Sequence, residues 1–207
     1  MHLTYVENRV YRTVLDSLSG DPDYVEPIRA HFDLILRMFV KFVSVRSNDQ
    51  SMYHTYLAAF GKNTPPHESE LQRDLFDWFS FAMFTTSVVA ERPDVAGGRT
   101  DIHISFETFR FVVEVKRVLK DWPSEIAAYV GQTAAYQQTD VKLGFLAALD
   151  LTTREAGDPA LECCFEPRLR AFSDLVQRRV VVCRIPGNRE VPSEISKRKT
   201  ATKTTGP

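Results

Sequence analysis

Apolar residues near the start of the chain recur with the period of an α-helix. From Val6 to Leu18 they return every four residues, which predicts an amphipathic helix that ends near Gly20. A longer helix is predicted to start at Pro27, because proline is favoured in the first helical turn. A short helix is expected over residues 52–60. The chain therefore begins with a helical segment.

A loop containing Pro65 and Pro66 ends this segment, because consecutive prolines cannot continue a helix. Beyond the loop, helical and strand periodicities alternate. The elements predicted there are a helix over 68–82, strands at 85–91, 101–106 and 111–116, a helix over 123–136, a buried strand at 142–149, a helix over 167–177 and a strand at 179–185. This order predicts an α/β fold with a mixed sheet flanked by helices.

Charged residues on two successive strands are spaced so that they can share one face of the sheet. Residues two apart on a strand point the same way, so Glu114 and Lys116 project together while Val115 faces a core. Antiparallel pairing through the turn at 107–110 can bring Asp101 near Glu114. Two carboxylates beside a lysine form an oxygen site for a divalent cation, with a positive group to hold an attacking water. This combination is suited to cleaving phosphodiesters.

Charges on a strand more often simply face water. Here, however, Val112, Val113 and Val115 indicate a strand buried on both sides. Charges are costly in such a strand unless they are paired or bound to a metal. A metal-free α/β domain, in which the strand charges pair with one another, remains an alternative.

The glycine-arginine turn before Asp101 and the Glu114-x-Lys116 triplet resemble motifs of the PD-(D/E)XK nuclease superfamily. In that family an aspartate begins the second core strand and an E-x-K triplet lies in the third. Thr100 stands where the family pattern has proline. The resemblance implies a restriction-endonuclease-like mixed β-sheet core flanked by helices, with an N-terminal helical extension outside the family core. It covers residues 67–150 well and 151–186 loosely.

The helix after the triplet carries Gln132 and Tyr136, one helical turn apart. This pair resembles the Q-x-x-x-Y motif of the RecB-like branch. The resemblance implies that Gln132 orients the nucleophile or contacts a substrate phosphate, and that Tyr136 braces Gln132 or touches the backbone. Outside this context, the pair would be a surface glutamine and a packing tyrosine.

The resemblance also implies a metal site. Asp101 and Glu114 would hold Mg²⁺, with the carbonyl of Val115 as another oxygen ligand, and Mn²⁺ is expected to substitute. Lys116 would orient or deprotonate the attacking water and offset the charge that builds on phosphorus. In this family a glutamate on the first core helix often joins the metal site, and the candidate here is Glu68.

Glu68 falls on the same side of its predicted helix as the apolar stripe that includes Leu71 and Leu75. Glu70 falls on the opposite side and is the weaker candidate. The alternative for Glu68 is that its charge favours the positive N-terminus of the helix.

Composition limits the remaining possibilities. The chain has 207 residues, of which 43% are hydrophobic and 26% charged, as in an ordinary globular protein. It has no apolar run long enough to span a membrane and no signal-peptide pattern, and its three cysteines are too few for a disulfide framework. We therefore expect a cytoplasmic location without membrane association. The net charge of −1 neither favours nor excludes nucleic acid.

Three segments are predicted: a helical segment at 1–62, a nuclease-like core at 67–186 and a basic tail at 187–207 that is expected to be flexible. The expected substrate is nucleic acid, DNA rather than RNA, in phage or mobile-element defence or in DNA processing. The helices of 1–62 can pack on the core, or form a homodimer or a larger effector assembly. The alternative function is a catalytically inactive nuclease-fold module that binds nucleic acid or a protein partner.

Overall fold

A computed structural model describes residues 1–48, 52–61, 63–82, 87–90, 101–137, 141–152, 159–172 and 176–189. Two short 3-10 helices cover Met52–Leu57 and Leu161–Cys163. The longer elements in chain order are α1 (Tyr5–Leu18), α2 (Ile28–Asn48), α3 (Glu68–Ala82), β1 (Ser87–Ala90), β2 (Asp101–Ser105), β3 (Arg110–Val118), α4 (Trp122–Ala135), β4 (Leu143–Asp150), β5 (Phe165–Ala171) and β6 (Gln177–Pro186).

The described strands form one mixed sheet in the order β1-β2-β3-β4-β6-β5. Strands β1, β2 and β3 are antiparallel neighbours, β3, β4 and β6 run parallel, and β5 lies antiparallel to β6 at the edge. The crossover from β3 to β4 passes through α4, as parallel neighbours require. The predicted α/β class with a mixed sheet is confirmed, and so is the parallel placement of β4 beside β3.

Helices cover both faces of the central strands. Alternate residues of β3, including Val113 and Val115, join a large apolar core with α1, α2 and α3. On the other face, Val118 and Leu146 pack with Ile126 of α4 in a smaller core. All eight residues of β4 are buried, which explains why its sequence reads as one continuous apolar run.

The N-terminal helices belong to the same large core as the sheet. Phe32 of α2 stacks on Phe145 of β4 with ring centroids 4.6 Å apart, and it meets Phe111 of β3 edge-on at 5.7 Å. Val14 and Leu18 of α1 are buried in this core as well. These helices therefore pack on the sheet, and their predicted part in a homodimer or a larger assembly stays a prediction.

The predicted helix over 167–177 is wrong, because residues 165–171 form the edge strand β5. Proline is favoured in the first turn of a helix, but it is also tolerated on an edge strand, where one ladder donor can be missing. Most of β5 is exposed, so no apolar alternation marked it as a strand. Residues 190–207, most of the predicted tail, lie outside the described residues.

Candidate functional site

The candidate site lies where β2 begins and β3 approaches its carboxyl end. The register pairs Asp101 with Glu114, directly opposite each other on antiparallel strands. Directly opposed positions share one face of a sheet. The backbone thus places the two predicted acidic residues together, although the Asp101 side chain lies outside the described part of the chain.

Glu114 and Lys116 form a buried ion pair on this face. Glu114 is 1% exposed and Lys116 is 9% exposed. The Lys116 Nζ contacts Oε1 of Glu114, whereas Oε2 is buried without a hydrogen-bond partner among the described residues. An unsatisfied buried carboxylate oxygen is unfavourable in an interior. It is therefore a ready ligand for a cation or a donor at this position.

Glu68 reaches the same region from α3. It is the first residue of that helix, and its Oε1 accepts a hydrogen bond from the backbone N–H of Arg117 at 3.2 Å. The Arg117 guanidinium donates to the carbonyl of Pro66 at 2.9 Å, which ties the loop before α3 to β3. Glu70 instead is exposed and accepts from the backbone N–H of His67 at 2.8 Å. Glu68 is thus the inward-facing glutamate, one residue along β3 from Lys116.

Tyr129 of α4 contacts β3 next to Lys116, and sequence reasoning missed it. Its hydroxyl donates to the Arg117 carbonyl at 3.4 Å and lies 3.5 Å from Oε2 of Glu125. Burial raises the pKa of Tyr129, the charges of Glu125 and Glu68 add to that increase, and Lys116 opposes it. The phenol is therefore neutral and within electrostatic reach of both Glu68 and Lys116. The sequence did hold one signal for Tyr129: it lies three residues before Gln132, so both fall on the same side of the helix.

Glu125 fixes the start of α4. Its Oε1 accepts from the backbone N–H groups of Lys120 at 2.9 Å and Asp121 at 3.1 Å. Burial tends to raise the pKa of Glu125, but these hydrogen bonds outweigh it, so the pKa lies below its ordinary value. An ionised carboxylate at a helix N-terminus also interacts favourably with the helix dipole. Tyr129 is consequently held on an anchored helix.

The two residues of the Q-x-x-x-Y pattern interact with each other. The Gln132 side chain is exposed, and its Nε2 donates to the Tyr136 hydroxyl at 3.2 Å. No hydrogen bond among the described residues links Gln132 to Glu114. The pair is a preformed unit on α4, and its predicted role toward a substrate stays a prediction.

A further ion pair that sequence reasoning missed joins the next two strands, β4 and β6. Asp150 ends β4 on the α4 side and is fully buried. Its Oδ2 accepts from Arg184 Nε at 2.6 Å, and its Oδ1 accepts from the Thr152 backbone N–H at 3.0 Å and hydroxyl at 2.7 Å. The Arg184 guanidinium lies over the Trp122 ring at 4.3 Å. Both oxygens are satisfied, so this pair is structural.

Among the side chains that the structure describes, no three histidines, cysteines, aspartates or glutamates cluster closely enough to hold a metal ion. The predicted metal ligands include Asp101, whose side chain lies outside the described part of the chain. Oε2 of Glu114 still satisfies one requirement of a metal site, since it is a hard oxygen ligand that accepts no hydrogen bond from the residues described here. Val115 stands between Glu114 and Lys116 with its own side chain in the large core.

Comparison with protein-family models, with curated proteins and with solved structures finds no match to this chain. The family resemblance therefore depends on the motif residues and on the geometry above. In the described ranges, no helix combines the length and apolar character needed to cross a bilayer.

Proposed function

We propose that this protein is a Mg²⁺-dependent nuclease that hydrolyses phosphodiester bonds, in DNA rather than RNA. The observation that carries the proposal is Oε2 of Glu114, a buried carboxylate oxygen that accepts no hydrogen bond from the described residues and lies on a strand position opposite Asp101. Structural ion pairs satisfy their oxygens, as Asp150 does. An unsatisfied oxygen at such a position is typical of a group that serves a ligand.

The order of elements supports a restriction-endonuclease-like form of the α/β fold. Helix α3 precedes three antiparallel strands, and α4 then crosses to the parallel strand β4. The motif residues fall at the places where the resemblance puts them: Asp101 begins β2, Glu114 and Lys116 lie in β3, and Gln132 lies in α4. These positions favour the RecB-like branch.

The metal would be held by Asp101, by Oε2 of Glu114 and by the carbonyl of Val115, with Glu68 completing the set from α3. When bound, Mg²⁺ supplies an acidified water and stabilises negative charge on the phosphoryl oxygens. The fold holds two of these ligands in place before any metal binds. Glu114 is held by the buried β3, and Glu68 is fixed by its bond to Arg117.

Lys116 has the clearest chemical role. Its ammonium group is 9% exposed and touches Oε1 of Glu114, so it is oriented before a substrate arrives. From there Nζ can hold the attacking water and offset charge that develops on the phosphate. Gln132, steadied by Tyr136, would contact a neighbouring phosphate.

An inactive nuclease-fold module that binds nucleic acid or protein is the alternative, and the Glu114–Lys116 contact is compatible with it. If Glu114 and Lys116 only neutralise each other, the site needs no metal, which is the metal-free α/β domain considered above. That reading leaves Oε2 unexplained, however, because a self-contained pair would satisfy both oxygens.

The test is cleavage of linear duplex, circular duplex and single-stranded DNA, and of RNA, with Mg²⁺ or Mn²⁺. Glu114→Gln and Asp101→Asn should each lower the rate at least about a hundredfold, because each removes a charge from the reacting centre. Glu70→Gln, on the same helix as Glu68 but outside the site, is the matched control and should cleave normally. Failure of the unmodified protein to cut any of these substrates with either metal would refute the enzyme proposal.

A further inference from the structure

A cleft lies between α1 and α2, and none of its lining residues belongs to the candidate nuclease site. The turn between α1 and α2 is fixed at the amino ends of the parallel strands, since Asp23 accepts from the Lys142 backbone N–H at 2.8 Å and Asp21 from Arg179 at 3.0 Å. The cleft between these two helices has a volume of about 600 Å³. This is the size of a small-ligand site.

Three arginines line this cleft: Arg12 of α1, and Arg29 and Arg37 of α2. None of them forms a salt bridge with a described residue. Other arginines of the chain pair with carboxylates in the described part, namely Arg9, Arg46, Arg168, Arg179 and Arg184. Asp16 is the acidic residue of the lining, so the cleft keeps an excess of positive charge.

Two tyrosines hold two of these guanidinium groups in place. Arg29 lies over the Tyr24 ring at 5.6 Å and Arg37 over the Tyr11 ring at 5.0 Å. A guanidinium held against a ring keeps the N–H donors at its own edge available. The Tyr24 hydroxyl is itself engaged by Asp33, a carboxylate outside the lining that offsets part of the local charge. The donors are thus positioned in advance of any ligand.

We propose that this cleft binds a phosphate-bearing anion. Planar guanidinium groups match phosphate oxygens bidentately, and several arginines around one concavity favour a multiply charged oxyanion over a single carboxylate. The ligand is either a small phosphate compound, such as a nucleotide, or a phosphate of a nucleic-acid strand. The proposal is independent of the nuclease activity, because no residue of the cleft belongs to the candidate site.

The experiment measures binding in the absence of divalent metal, so that cleavage cannot interfere. Inorganic pyrophosphate is titrated by calorimetry, and a short labelled single-stranded oligonucleotide by fluorescence anisotropy. Arg29→Gln combined with Arg37→Gln should weaken pyrophosphate binding about tenfold or more, the effect of losing a charge-assisted hydrogen bond. Arg73→Gln, an exposed arginine of α3 outside the cleft, should bind as the unmodified protein does.

The oligonucleotide separates the two sources of phosphate. A parallel loss of oligonucleotide binding identifies a nucleic-acid strand, and a loss confined to pyrophosphate identifies a small compound. Arg12→Gln disturbs no ring contact, so it tests the cleft if the double variant fails to fold. Absence of pyrophosphate binding by the unmodified protein, or equal affinity in the cleft variants and Arg73→Gln, would overturn the proposal.

Discussion

Two buried carboxylates on neighbouring parallel strands lie on the sheet face that α4 covers, yet they differ in what surrounds them. Asp150 of β4 and Glu114 of β3 are both almost fully buried, and each pairs with a positively charged side chain, Arg184 and Lys116 respectively. Every oxygen of Asp150 accepts a hydrogen bond from Arg184 or Thr152. In contrast, Oε2 of Glu114 accepts none from the described residues.

This contrast shows that burial and ion pairing alone do not identify a functional carboxylate. A buried ion pair is weak evidence even for stability, because desolvation offsets much of the attraction. Completeness of the hydrogen bonding is the more informative property. Both oxygens of Asp150 accept hydrogen bonds, and Asp150 ties the end of β4 to β6. Oε2 of Glu114 can still accept a hydrogen bond or bind a metal ion.

The largest effect is expected from Asp150→Ala. This change leaves the half-buried Arg184 side chain without its carboxylate and the Thr152 backbone N–H without its acceptor, so the free energy of unfolding should fall by about 3 kcal/mol. Urea denaturation followed by circular dichroism measures it. Asp77→Ala, an exposed position on α3, is the control and should change stability by less than about 0.5 kcal/mol. A small loss for Asp150→Ala would mean that the Asp150–Arg184 pair is not structural.

Replacing both charges of each pair by leucine should give opposite results at the two sites. Glu114→Leu with Lys116→Leu removes an unsatisfied oxygen from an apolar strand, so stability should rise by about 1–2 kcal/mol while cleavage is lost. Asp150→Leu with Arg184→Leu should lower stability, because the Thr152 backbone N–H loses its acceptor. If both double variants shift stability in the same direction, the contrast between the two carboxylates fails.

Mg²⁺ should stabilise the protein through Glu114. At a free concentration tenfold above its Kd, a ligand that binds only the folded state adds about 1.4 kcal/mol to the free energy of unfolding. Thermal melts with Mg²⁺ and with a chelator should therefore differ for the unmodified protein and coincide for Glu114→Gln. Asp77→Ala should keep the shift, and an equal shift in Glu114→Gln would place the metal elsewhere.

The smallest effect concerns Glu125, which sets the position of Tyr129. Its pKa lies below the ordinary 4.5, so ionised Glu125 stabilises the fold above that pH, and the contribution disappears as pH falls through the lowered pKa. Glu125→Gln should cost about 0.5 kcal/mol at neutral pH, since solvent screens a partly exposed group. The difference from the unmodified protein should vanish in acid, and a difference that persists there would show that charge is not its cause.

Local pattern was sufficient for much of the fold. The apolar run of β4 and the valines of β3 predicted strands buried on both faces, and the opposition of Asp101 and Glu114 followed from strand periodicity and one turn. These features depend on residues close together in the sequence. The inward orientation of Glu68 was likewise readable from helical spacing.

Other features depended on distant partners that no local pattern reveals. Asp150 meets Arg184 only because β4 and β6 are neighbours in the sheet, and Tyr129 reaches the Arg117 carbonyl only because α4 folds back over β3. The error at β5 had a different cause. An exposed edge strand has no apolar alternation to mark it, and Pro167 is compatible with the first turn of a helix as well as with an edge strand.

That same proline has a consequence for how copies of the protein meet. The outer edge of a sheet is a template on which another chain can polymerise, strand upon strand. Pro167 removes one donor from β5, and the exposed charges of Glu166, Arg168 and Arg170 line the strand. Such features discourage another chain from adding a strand to this edge, so we expect β5 to remain the last strand of the sheet.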